Sequence, residues 1–169
     1  MTLAPHRRIA VLCLLVSGAA LLTALAAEHW GGMVPCALCL WERDPYRLEI
    51  ALSVLLLAVP AGFARPVLLL LALAWLAGAA LGALHVGVEQ GAWPSPLPEC
   101  AAPHITGGSI AERLAQMPAT PAKPCDAPAY LLPFLPVSMA AMNLALSLAF
   151  GAGLLICVAM GRRWSLQEA

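Results

Sequence analysis

Residues 9–27 form a run of nineteen without a charge, and no other feature restricts the fold of this chain as much. At 1.5 Å per residue a helix over that run reaches about 28 Å, close to the hydrocarbon thickness of a bilayer. His6-Arg7-Arg8 precede it and Glu28-His29 close it. A secretory signal peptide would also begin with basic residues, and Ala24-Leu25-Ala26 would serve as its cleavage site. The run exceeds the usual apolar region of such peptides, which favours a retained span. Composition extends the argument to the whole chain. Of 169 residues 62% are hydrophobic and 11% charged, against about a quarter charged in soluble domains.

Three further apolar segments complete the expectation of an all-α integral membrane protein. It is a four-helix transmembrane bundle in a single domain over residues 1–169, with spans at about 9–27, 46–63, 66–88 and 136–160. Asp44 before Pro45 reads as an N-cap with proline at the first helical position, and Arg47 and Glu49 lie near the outer end of the second span. Ala61-Gly62-Phe63-Ala64-Arg65 is the predicted turn into the third. Gly78 and Gly82, four apart, suit close helix contact. Loops are expected at about 28–45 and 89–135. In the longer, proline-rich one, Ser109-Ile110-Ala111-Glu112 fits a capping box, and Ile110, Leu114 and Met117 recur at helical spacing. That pattern describes a short amphipathic helix lying on the membrane or an ordinary packed loop helix.

Arg7, Arg8, Arg65, Arg162 and Arg163 all flank one side of this arrangement, which the positive-inside rule makes cytoplasmic, with both termini. In a bacterial inner membrane both loops then face the oxidising periplasm, where disulfides persist. The periplasmic set is Cys36, Cys39, Cys100 and Cys125. Cys13 and Cys157 fall near the cytoplasmic ends of apolar spans and read as buried structural thiols. A formal net charge of zero and a pI near 6.9 argue against a nucleic-acid partner, which demands a basic face.

The chemistry is expected at Pro35-Cys36-Ala37-Leu38-Cys39-Leu40-Trp41-Glu42-Arg43. A disulfide closing so small a ring contributes only about 2 kcal/mol through chain entropy, so the pair is a poor staple and a better redox centre. The Arg43 charge would favour a thiolate there; the bland alternative for Arg43 is an interfacial anchor. A bond between Cys100 and Cys125 would close a ring worth about 3.5 kcal/mol and could be purely structural. Close to a Cys-x-x-C it would also permit thiol exchange. No metal is expected, because two widely spaced single cysteines lack the paired spacing of four-cysteine zinc sites. Haem attachment needs a histidine where Leu40 stands. His85 and Glu89 share a helix face one turn apart and fit a satisfied polar pair as well as a functional site.

These residues, with Glu89-Gln90, Cys125-Asp126, Ser138-Met139 and Asn143, resemble the disulfide-bond formation protein B (DsbB) family across all four spans and both loops. The resemblance implies an enzyme, a protein-disulfide oxidoreductase that reoxidises a periplasmic thioredoxin-fold protein, DsbA-like, and passes the electrons to a membrane quinone, ubiquinone or menaquinone. It implies catalytic roles for Cys100, attacked by the partner, for Cys125, which then attacks Cys36, and for Cys39, whose thiolate lies against the quinone. Arg43 and His85 would line the quinone pocket. A structural disulfide below about −300 mV could oxidise a partner near −120 mV only against about 8 kcal/mol, so an acceptor in the bilayer must supply the drive. A vitamin K epoxide reductase-like protein is the enzyme alternative, although it would place its redox pair on the last span, which here holds only Cys157. A scaffold stabilised by inert disulfides is the non-enzyme alternative.

Overall fold

The computed structural model describes residues 4–100, 109–115, 123–132 and 134–167, with side chains of the last helix described to residue 160. Among the described residues the regular elements are all helices, with no strand beyond one isolated antiparallel bridge between Tyr130 and Ser138. The elements are α1 (Pro5–His29), α2 (Ala37–Trp41), α3 (Arg43–Ala58), α4 (Ala61–Glu89), α5 (Ile110–Ala115) and α6 (Met139–Gln167), with a 3₁₀ turn at Pro98–Cys100. Among the described residues three helices are long and apolar enough to cross a membrane: Pro5–His29, Ala61–Glu89 and, within α6, Met139–Met160. The second expected span is not among them, because α3 has 16 residues and carries Arg43, Asp44, Arg47 and Glu49 in its first half.

The prolines set the helix boundaries. Pro45 lies in the first turn of α3, where its missing N–H is one of the four that lack an intrahelical partner in any case. The turn expected at residues 61–65 lies earlier, at Val59-Pro60, and residues 61–65 belong to α4. Pro60 has no N–H to extend α3 and holds Val59 extended, at φ −75° and ψ 146°. α4 ends by a different device. Gly91 adopts φ 68°, so that Ala92 N–H reaches Gly87 O at 2.8 Å and Gly91 N–H reaches Val88 O at 3.0 Å, a glycine-terminated helix end.

α4 lies along α6, α1 along α3, and α3 against α4. Small residues let α4 and α6 approach: a Cβ at Gly82 would fall 3.0 Å from Leu144 Cα, and one at Gly78 would fall 3.1 Å from Ser147 Oγ. Below this contact Trp75 is fully buried, edge-on to Tyr46 at 5.9 Å and stacked on Phe150 at 4.7 Å. Leu12, Leu22, Leu70, Leu73 and Ile156 point outward, as helices surrounded by lipid require. A carboxyl lies deep inside the bundle. Glu49 is fully buried, and Ser17 Oγ on α1 donates to its Oε2 at 2.9 Å.

The capping box of α5 forms in both directions: Glu112 N–H donates to Ser109 Oγ at 3.2 Å, and Ser109 N–H donates to Glu112 Oε2 at 3.1 Å. Ile110 and Leu114 are exposed; Met117 lies outside the described residues.

Gly82→Leu should force α4 and α6 apart and lower stability by about 1–3 kcal/mol. Gly18→Ala, where an added Cβ meets nothing within 4 Å, should leave the thermal midpoint in detergent unchanged. Equal midpoints for both variants would refute the close packing.

Candidate redox centre

Cys36 is the N-cap of α2, and its Sγ accepts the Cys39 backbone N–H at 3.2 Å. One helical turn brings the Cys39 Sγ to 2.7 Å from the Cys36 Sγ, both as free thiols. The hydrogen bond it shares with the Cys39 thiol holds the Cys36 thiol below its ordinary pKa, aided by the backbone N–H and opposed by burial. The same shared hydrogen bond, with burial, holds the Cys39 thiol above its ordinary value. The two shifts run in opposite directions, so Cys36 is the more acidic thiol of the pair.

Cys100 and Cys125 form a disulfide. Both are buried, and together with Cys36, Leu38 and Val88 they make one apolar cluster. All four loop cysteines thus meet at one end of the bundle, although the two pairs are far apart in the chain.

His85 joins the Cys36 side of the dithiol. It is absent from the cavity described below and instead faces Cys36, with Nε2 3.5 Å from Sγ. Its Nδ1 lies 2.9 Å from Glu42 Oε1, and a carboxylate can only accept, so Nδ1 carries the proton. The pairing with Glu89 does not form either. Glu89 Oε2 accepts from Ser138 Oγ at 2.6 Å, and Ser138 caps α6 by accepting Ala141 N–H at 3.2 Å.

On the other side of the dithiol is a cavity of about 490 Å³ between α1, α3, α6 and the first loop. Cys39, Arg43, Tyr46, Met142, Asn143 and Leu146 form part of its wall. Arg43 is buried, and its Nη1 pairs with Glu28 Oε2 at 2.7 Å. Tyr46 OH donates to Asn143 Oδ1 at 2.6 Å. Two donors, Arg43 Nε and Asn143 Nδ2, are buried without a hydrogen-bond partner.

Sequence reasoning gave Glu42 no chemistry and read Glu28 only as the charge that closes the first span. Tyr46 carried no signal at all. Adjacent Glu42 and Arg43 diverge, one toward α4 and one toward α1, and no spacing rule announces partners 43 and 15 residues away.

Comparison with curated proteins and with solved structures gave no match. Residues 6–157 match the family described as disulfide bond formation protein DsbB. Candidate spans, clustered loop cysteines and that match agree: the chain belongs to the DsbB family of membrane proteins of disulfide-bond formation.

Proposed function

We propose that this chain is a thiol oxidase that takes electrons from a periplasmic thioredoxin-fold partner, DsbA-like, and delivers them to a membrane quinone, ubiquinone or menaquinone. One observation carries the reading. The dithiol stands between two things, with Cys36 packed against the Cys100–Cys125 disulfide and Cys39 on the wall of a mainly apolar cavity. A pair so placed can exchange with a disulfide on one side and reduce a hydrophobic acceptor on the other.

The cavity suits a quinone ring. Its volume is within the range of small-molecule sites, and its mainly apolar wall, with Arg43, Tyr46 and Asn143 as polar members, suits a hydrophobic ring that carries polar oxygens. Arg43 is permanently charged and, held by Glu28, needs no rearrangement to stabilise negative charge developing on a ring oxygen. When bound, a quinone supplies an acceptor for the two electrons and two protons that a dithiol gives up in becoming a disulfide.

The thiol steps balance by exchange alone. A partner thiolate attacks Cys100, and the Cys100–Cys125 bond breaks to leave Cys125 as thiolate. Cys125 then attacks Cys36 in its oxidised bond to Cys39, and Cys39 leaves as thiolate beside the cavity. His85, oriented by Glu42, can hold the proton that Cys36 loses or regains. Release of the oxidised partner restores Cys100 to exchange with Cys125.

α3 is read as the second crossing of the membrane, with both termini cytoplasmic in a bacterial inner membrane. Its 16 residues reach about 24 Å. Both α1 and α4 end near the cysteine cluster, and a crossing by α3 between them accounts for that arrangement.

Purified protein supplied with a reduced DsbA-like protein and a soluble ubiquinone should bleach the quinone absorbance, and Cys36→Ser should abolish the signal. No bleaching by folded protein with either ubiquinone or menaquinone would refute the reading. Cys125→Ala should accumulate a covalent complex with the partner through Cys100, seen on non-reducing gels; trapping through Cys36 would reverse the proposed order. Arg43→Met should raise the quinone KM about 10- to 100-fold, as expected for loss of a charged hydrogen bond, and an unchanged KM would return Arg43 to an anchoring role.

A further inference from the structure

Cys36, Cys39 and His85 present three donor atoms that lie within 4.8 Å of one another. The four-cysteine spacing test applied to the sequence does not address this set, because His85 joins the pair from 49 residues away. Its orientation is specific. With Nδ1–H directed to the Glu42 carboxylate, the Nε2 lone pair is turned toward Cys36. Metal-binding histidines are held in this way, by a carboxylate on the opposite ring nitrogen.

Distances can be tested against a tetrahedral zinc ion. Ordinary Zn–S and Zn–N bonds put a sulfur and a nitrogen ligand about 3.6 Å apart and two sulfurs about 3.8 Å apart. The Cys36 Sγ to His85 Nε2 separation is 3.5 Å. The sulfurs, at 2.7 Å, must open by about 1 Å, and Cys39 borders the cavity into which it would move. Two thiolates and a neutral imidazole cancel the charge of a divalent ion, so the assembly brings no net charge to a partly buried place.

We propose that the reduced Cys36-Cys39 pair and His85 form a three-ligand site for a thiophilic divalent cation, zinc first among them, with Glu42 as its positioning residue. Binding forms two metal–sulfur bonds and one metal–nitrogen bond and releases the two thiol protons; no electron moves. Oxidation of the pair to a disulfide removes two of the three ligands. Metal binding and the oxidised state therefore exclude each other, and a bound metal withholds both sulfurs from exchange. The inference concerns metal binding alone and does not depend on the quinone reading.

The test uses the full chain in detergent with Cys100→Ser and Cys125→Ser, so that Cys36 and Cys39 are the only loop thiols. Cobalt(II) titrated into the reduced protein should bind at one per chain with a thiolate-to-metal absorption band, release two protons, and be displaced by zinc. The same preparation oxidised with diamide should show no band, a comparison that needs no further substitution. His85→Ala should weaken binding at least 10-fold. Glu42→Gln should weaken it about 10- to 100-fold and shift the visible cobalt bands, which a merely structural change would leave in place. A band that persists in the oxidised chain, or equal affinity in a His85→Ala protein of unchanged helicity, would overturn the site.

Discussion

The hydrogen bond between Glu42 and His85 fastens the cysteine segment to the bundle, and the geometry of the centre depends on it. α2 is only five residues long, too short to hold a fixed orientation by its own backbone hydrogen bonds. Glu42 directly follows it and is tied to α4, while Arg43 is tied to α1 through Glu28. Two buried charged groups, adjacent in sequence and anchored in different directions, act as a clamp. Burial makes the clamp strong, because either partner left alone in a low-dielectric site would bear the full cost of desolvation.

The clamp also separates the two sulfurs by environment. Cys36 receives a backbone N–H and packs among the loop disulfide and α4 residues, whereas Cys39 borders a cavity lined by α1, α3 and α6. A dithiol with chemically distinct ends suits a directional relay: exchange needs an accessible anion, and reduction of an apolar acceptor needs a sulfur that faces it. The same asymmetry gives His85 a place. Beside Cys36 it can manage a proton or contribute a nitrogen ligand, and neither role brings it to the cavity.

The bundle supports this by different means. Lipid-facing side chains gain little from packing against one another, so close contact rests on small residues such as Gly78 and Gly82 and on buried polar bonds. Ser17 with Glu49 joins α1 to α3, and Tyr46 with Asn143 joins α3 to α6. The second of these joins also forms part of the cavity wall, so the packing that stabilises the bundle shapes the site.

The sequence by itself determined what depends on short-range periodicity and local chemistry. Long apolar runs set the spans of α1, α4 and α6, the Ser109–Glu112 spacing announced its capping box, and the Cys36-Cys39 spacing marked the redox segment, because each signal acts over one or a few helical turns. Turn position was already less legible: two prolines, Pro60 and Pro66, competed, and only the first breaks a helix, since Pro66 falls near the start of α4, where neighbouring turns absorb a missing hydrogen bond. The tertiary structure alone decided the partners of His85, Glu42, Arg43 and Tyr46. Those contacts join different helices, up to 97 residues apart for Tyr46 and Asn143. They follow from how apolar helices rotate and cross, and helices that are apolar on every side leave that rotation almost unmarked in their sequences.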